Sequence, residues 1–597
     1  MQIGYFLLSE TSIHLILILS AFLLTYARIL GKDFYWVIDD LAGLADFSEK
    51  WNDKEQKKID SYELNGKQWK YLQFNPTIGF PGNIYRWLRL NLGKKFQVIG
   101  KNTKGHDVYG FVQSPIRHHI ISMTVQILNL IMAYIFLRNI LPESIAFGAV
   151  LLYAVHPITT CSVAWISGYN YNFSMFFSLA LLNVALTYQV PELRYLVVAL
   201  LSACATLTIY TGGLTCVLLW FLGLKIEAVI AGIVALAILF IKGKETKDFR
   251  IKAFKEQNMG TTTFLNWRKP IVMLKTLWYY MRQVFLPLKL GLYHPWGYFY
   301  EETIERVDRM AWMGILTLGA FLCACFSGIL AIQFGALWFL TYFIMFSNFI
   351  TAQQFITDRY VMIPSFGICI ILSWFLYGTP LFWVLVGLYA MRTFLHLPTY
   401  KNEVDYYSSN FLNFRKSEVA LGNLGVAFIN QGMHGAAVDT WMLATKINPH
   451  YDVPWYNLYS VFKGNGRLSE ARDFLRKCMD AKIVHFDKKW GEELKQLDDQ
   501  ITSVNSPVRK TELFYHEATD HYKAGDTAKE MQALKNFMLG DTAGLIPEMI
   551  TQVKARLVEL ESANNIQLHN PVSEPPRPEI TGLNPVNQGT GLPPVSN

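Results

Sequence analysis

Long apolar runs recur through the first 400 residues, and they restrict this chain to few folds. A helix that crosses a bilayer needs about 20 mostly apolar residues. Its backbone must bond internally, because lipid supplies no partners. Runs of this kind lie near 12–30, 119–137, 143–157, 172–188, 194–210, 213–224, 226–242, 309–330, 332–350, 361–377 and 379–396. They predict about eleven spans. The fold class expected is all-α, a polytopic membrane helix bundle over 1–400. The run at 213–224 is short enough to be re-entrant or to fuse with its neighbour. Composition agrees, since charged residues make up 17% of the chain, against about 25% in a soluble protein. The net charge of +8 comes with basic residues flanking the runs, not with an Arg/Lys stripe, so nucleic acid is not an expected partner. The first run lacks a basic leader and a small-residue cleavage site, so it reads as a retained span. The seven cysteines show no CxxC or metal-ligand spacing, which supports neither a disulfide framework nor a zinc site.

The polar parts have their own character. Residues 31–118 form a long loop between the first two spans, in which Ile84–Lys95 has the helical apolar and basic alternation of an interfacial segment. After residue 400 a 34-residue period begins, the length of a tetratricopeptide (TPR) unit. Leu424, Gly425, Phe428, Ala437, Ala444 and Pro449 fall on its preferred positions in 418–451. Trp455, Leu458, Phe462, Gly466 and Ala471 do so in 452–485, and a degenerate unit is expected at about 512–545. A soluble TPR helical-repeat domain is therefore expected over 401–560, followed by a disordered Pro-rich tail over 561–597.

The polar motifs sort to one face. With the short N-terminus on the cytoplasmic side, the first span exits at Asp39 and Asp40 on the other side. An acidic pair at a span exit is a site candidate, because charge at membrane depth is costly. Three more clusters reach that face: His156-Pro157 with Trp165 to Gly168, then Tyr293-His294-Pro295, then Asp358-Arg359-Tyr360. Eleven spans also put the repeats there. Arg138 and Lys225 fall on the cytoplasmic side, as the positive-inside rule prefers, whereas the basic 243–268 segment violates it.

Two long strings carry a family resemblance. FGALWFLTYFIMFSNFITAQQFITDRYVMIPSFG, from Phe334 to Gly367, resembles the late transmembrane segment of TPR-containing O-mannosyltransferases of the cadherin-targeting type. Trp338-Phe339, Ser347-Asn348, Asp358-Arg359-Tyr360 and Pro364-Ser365 occupy that family's order. HPITTCSVAWISGYNYNFSMFFSLALL, from His156, is similar to the family's His-Pro…Val-Ala-Trp-Ile-Ser-Gly string, and Val37-Ile38-Asp39-Asp40 is the third match. The resemblance covers residues 12 to about 480. It departs at Cys161, Tyr169 and Tyr171, where the family has Glu, Arg and Asp, and at Asn75-Pro76 in place of Arg-Pro.

Such proteins are similar to the GT-C glycosyltransferases, which take a sugar from a polyprenyl phosphate, dolichyl or undecaprenyl, on the non-cytoplasmic face. The resemblance implies transfer to an extracytoplasmic acceptor, a protein hydroxyl, with inversion. Asp39 or Asp40 would be the catalytic base. Arg359 would hold the leaving phosphate. Asp358, Tyr360, His156, Trp165, Tyr169 and His294 would line the donor phosphate and sugar. A monophosphate leaving group makes a divalent metal less necessary. Plainer roles stand beside these. Arg359 can be a snorkelling anchor, Trp165 a membrane-belt aromatic, and His156 the end of a helix. His118, His119 and His294 suit interfacial packing, and Gly212-Gly213 a helix break. A different class of function is a non-catalytic membrane scaffold on a degenerate GT-C frame, its repeats binding partner proteins. A transporter is disfavoured, because paired broken helices are not evident. The expected location is a multi-pass site in a bacterial-type inner membrane, ahead of the endoplasmic reticulum.

Overall fold

The computed structural model describes residues 9–31, 34, 94–101, 107–256, 269–292, 294, 307–348, 356–415, 417–481, 490–504, 507–540 and 547–568. Asp39 and Asp40, most of the expected 31–118 loop and everything after 568 lie outside the described residues. The described chain is helical apart from one antiparallel hairpin, Lys94–Lys101 with Asp107–Gln113, which is the one addition to the all-α expectation. It divides into two units, 1–490 and 491–597.

The first unit opens with α1 (Glu10–Tyr26), α2 (Pro115–Arg138), α3 (Glu143–Val155) and α4 (Asn170–Thr187). Helices Pro191–Thr208 and Lys225–Glu256 follow. Then come α5 (Lys269–Phe285), α6 (Arg309–Cys325), α7 (Leu330–Phe343), α8 (Met362–Leu376) and α9 (Pro380–His396). Beyond them lie α10 (Glu403–Asn413), α11 (Glu418–Asn430), α12 (His434–Ile447), α13 (Asp452–Gly464) and α14 (Leu468–Asp480).

Among the described residues four segments are long and apolar enough to cross a membrane: Glu10–Leu30, Pro115–Arg138, Pro191–Thr208 and Pro380–Tyr400. A fifth qualifies if α3 and Pro157–Val163, bent by 52°, count as one span. Several other apolar runs are cut into shorter helices such as Arg309–Cys325, Leu330–Phe346 and Met362–Leu376. The cause is local. Pro157 cannot continue α3, and a 3-10 turn at Asp358–Tyr360 delays the start of α8. Helix α5 was not expected at all from the apolar runs.

The surface of these helices is apolar. Leu24 is 78% exposed, Phe240 82%, Phe326 84% and Met391 61%. Rows of such side chains are unusual on a water-facing protein and suit lipid. The inward face of α2 is the reverse, with His118, His119, Ser122, Gln126 and Asn129 all buried. Where α7 crosses α8, Gly335 and Gly367 face each other so closely that a Cβ on either would overlap the other's carbonyl oxygen.

Helices α11 and α12 pack as a hairpin, as do α13 and α14. The second hairpin starts 34 residues after the first, at Asp452 against Glu418. Gly432 and Gly466 turn the two hairpins at φ +74, which suits glycine. The second unit contains Pro507–Ala524, Thr527–Leu539 and Pro547–Leu568 around a core of Ala518, Leu534, Phe537 and Val553. Its last helix runs past residue 561, where the tail was expected to begin.

Candidate functional site

Three segments distant in sequence meet at the Asp358–Tyr360 turn: the break after α3, the C-terminal half of α5 with the loop to 294, and the turn itself. Helix α5 supplies the fixings. The Tyr280 hydroxyl accepts from the Thr357 N–H at 3.2 Å and donates to the Thr357 carbonyl at 3.3 Å. Four residues before Gln283, Tyr279 lies on the same face of the helix.

Asp358 is 3% exposed and both its oxygens are engaged. Oδ2 accepts from the Gly291 N–H at 2.6 Å, and Oδ1 from His294 Nε2 at 3.0 Å and Gln283 Nε2 at 3.3 Å. His294 Nδ1 lies 2.5 Å from the Tyr279 hydroxyl. A neutral ring satisfies both contacts when Nε2–H donates to Asp358 and Nδ1 accepts from Tyr279. Buried carboxylates persist when several donors share the charge. The loop that supplies Gly291 and His294 is itself tied down. Arg392 of α9 donates to the Pro287 and Leu288 carbonyls, and Asn413 of α10 donates to Leu290 at 2.8 Å. The His294 ring packs on Phe414, with centroids 4.2 Å apart.

Arg359 turns the other way. Its guanidinium lies 5.3 Å from the Trp165 ring and 5.4 Å from the Tyr360 ring. Tyr360 in turn stacks on Phe346 at 4.2 Å. Aromatic faces attract a guanidinium, and more strongly where water is scarce. The turn thus holds a buried carboxylate on one side and an aromatic-clamped cation on the other.

Of the expected site residues, Asp358, Arg359, Tyr360, Trp165 and His294 come together here. His156 lies beside them but is fully used: Nδ1 accepts from the Ile158 N–H at 3.1 Å, and Nε2 sits 3.0 Å from the Val284 carbonyl. It caps the break after α3 and ties it to the end of α5. Tyr169 ends the 3-10 turn Ile166–Tyr169, and its side chain is outside the described residues. Phe34, five residues before Asp39, packs edge-on against His119 at 6.2 Å. Tyr279, Tyr280, Gln283 and Gly291 were missed from the sequence. The signal available was the helical alternation in KPIVMLKTLWYYMRQVF. Among the described residues no three His, Cys, Asp or Glu side chains group as metal ligands. No family model, no curated protein and no solved structure matches this chain.

Proposed function

We propose that this chain is an integral membrane glycosyltransferase of GT-C type. It would move a sugar from a polyprenyl phosphate to an extracytoplasmic acceptor, a protein hydroxyl, with inversion. One observation carries the reading: Arg359, from one of the two strings that resemble the O-mannosyltransferases, lies over Trp165, from the other. In the proposed reaction the acceptor hydroxyl attacks the anomeric carbon and its proton passes to Asp39 or Asp40. The bond to the lipid phosphate breaks, and Arg359 meets the charge left on that phosphate. Asp358 serves by anchoring the turn that carries Arg359. The eleven-span topology and a TPR role for α11 to α14, holding the acceptor near the membrane, belong to the same proposal.

A second reading is a non-catalytic scaffold, favoured by Cys161. Where the resembled family has Glu, the Cys161 thiol is buried and donates to the Ile158 carbonyl within its own turn. The two readings part in a transfer assay. Membranes carrying the protein are given a radiolabelled polyprenyl phosphate sugar and an acceptor protein preparation. The enzyme reading expects transfer that falls at least about a hundredfold in Asp39→Asn/Asp40→Asn and in Arg359→Ala. Undiminished transfer in the double variant refutes the proposed base, and absence of transfer by the natural sequence favours the scaffold.

A further inference from the structure

The end of α5 and the irregular segment after it have every carbonyl from 284 to 290 answered inside the protein. Val284 accepts from His156 Nε2 at 3.0 Å, and Phe285 from the Tyr389 hydroxyl at 3.2 Å. Leu286 accepts from the Leu288 N–H at 2.8 Å. Arg392 Nε donates to Pro287 at 3.1 Å and its Nη2 to Leu288 at 2.9 Å. Gln283 and Asn413 donate to Lys289 and Leu290. All but one of these donors are side chains. The apolar side chains meanwhile point outward. Leu286 is 61% exposed, Leu288 68%, and Phe285 is exposed beside them.

A loop in water needs no such provision, because water bonds to open carbonyls. In hydrocarbon, backbone outside a helix persists only where the protein answers its polar groups. The position of the segment agrees. Tyr389 and Arg392 belong to α9, inside the apolar stretch Pro380–Tyr400. Tyr389 stands about 10 Å before the end of α9, at 1.5 Å per residue. The outer face of α9 is apolar on both sides of that level, with Leu388, Met391 and Leu395 all exposed. Arg28, at the end of the first apolar helix, lies over Phe394 at 5.4 Å, as a cation reaching for the water boundary does. The bonds to Tyr389 and Arg392 fall on the membrane side of that mark. Arg392 is itself charged at this depth and faces two carbonyls, the usual company of a cation in a membrane.

We propose that residues 285–289 are immersed in the bilayer and pack Phe285, Leu286 and Leu288 among lipid acyl chains. This lipid contact lies outside every apolar run of the sequence. It also adjoins the Asp358 turn: the Gly291 N–H, on the same loop, donates to Asp358 Oδ2. Lipid therefore touches the loop that holds the buried carboxylate. The inference is independent of the glycosyltransferase reading and needs only that α9 lies in lipid.

The test uses the natural sequence in nanodiscs of phosphatidylcholine that carries a diazirine in one acyl chain. Light turns the diazirine into a carbene that inserts into neighbouring side chains, and peptide mass spectrometry maps the adducts. Label is expected on 285–289 and on 388–395, and not on Leu443, which is exposed on α12. A water-soluble diazirine should give the reverse, marking Leu443 and sparing 285–289. Water-soluble label on 285–289 without lipid label overturns the inference. So does a failure of the lipid probe to mark 388–395, because the depth of the loop is read from α9. A second arm is Arg392→Met, which keeps an apolar stem and removes both donors. Its melting temperature in nanodiscs should fall by several degrees, the scale of two buried hydrogen bonds left unmade. An unchanged melting temperature would mean that water answers the two carbonyls, and the loop would not then lie in lipid.

Discussion

Two helix contacts in this chain use glycine for opposite ends. At the α7–α8 crossing, Gly335 and Gly367 let backbone meet backbone. In the α11–α12 hairpin, Gly425 makes room for the Trp441 indole, whose Nε1 donates to the Gly422 carbonyl at 2.9 Å. The two contacts rest on different forces. Close backbone approach and van der Waals contact hold α7 to α8. Burial of a large aromatic ring, which is strongly stabilising, holds α11 to α12. The polarity of the two regions inverts in the same sense: α2 hides its polar face, whereas α14 buries Ala471, Leu475 and Cys478.

The largest effect should come from removing the ring. Trp441→Ala leaves a cavity, and should destabilise the hairpin by about 3–5 kcal/mol in thermal unfolding of the solubilised protein. A loss under about 1 kcal/mol would break the contrast, because the aromatic would not then be the hairpin's main support. Next comes a matched pair. Gly367→Ala forces backbone from backbone, and Gly425→Ala drives a Cβ into the buried Trp441 indole, a rigid ring that must then leave its bond to Gly422. Each should cost about 1–3 kcal/mol or more. A cost near zero at either glycine would mean that its contact is looser than its geometry indicates.

The smallest effect concerns Glu418, at the start of α11. Burial raises its carboxyl above the ordinary 4.5, although its own backbone N–H and Asn448, which donates to it at 3.1 Å, pull the other way. The folded form therefore holds the proton more tightly than the unfolded form. The stability this contributes is complete below about pH 4.5 and is lost as pH rises through the higher folded value. Glu418→Gln keeps an acceptor for Asn448 without the charge. It should melt slightly higher than the natural sequence at pH 7, with the gap closing toward pH 4. A gap independent of pH would show that desolvated charge is not the cause.

Much of this arrangement was legible in the sequence. Apolar runs located helices because hydropathy reports what a helix can face. The 34-residue period anticipated the offset between the two hairpins, since the turn glycines Gly432 and Gly466 share one backbone need. The meeting of Trp165 with Arg359 was anticipated only through a resemblance between strings. Helix α5 was not read, because its Lys275, Arg282 and Gln283 interrupt the hydropathy that marks a span. Nor were the partners of Asp358, because a backbone N–H such as that of Gly291 has no signature in a sequence. The length of some apolar helices, such as the run at 332–350, was overread for a related reason. Hydropathy does not register where a 3-10 turn takes over, as at Ile344–Phe346.

The packing of His294 on Phe414 has a mechanical side. Phe414 is the first residue after α10, on the path from the last apolar helix to the hairpins. The same imidazole bonds to Asp358, so a load applied to α10 reaches the carboxylate through one ring. The joint acts as a strut: whatever tilts α10 also strains the turn that aims Arg359.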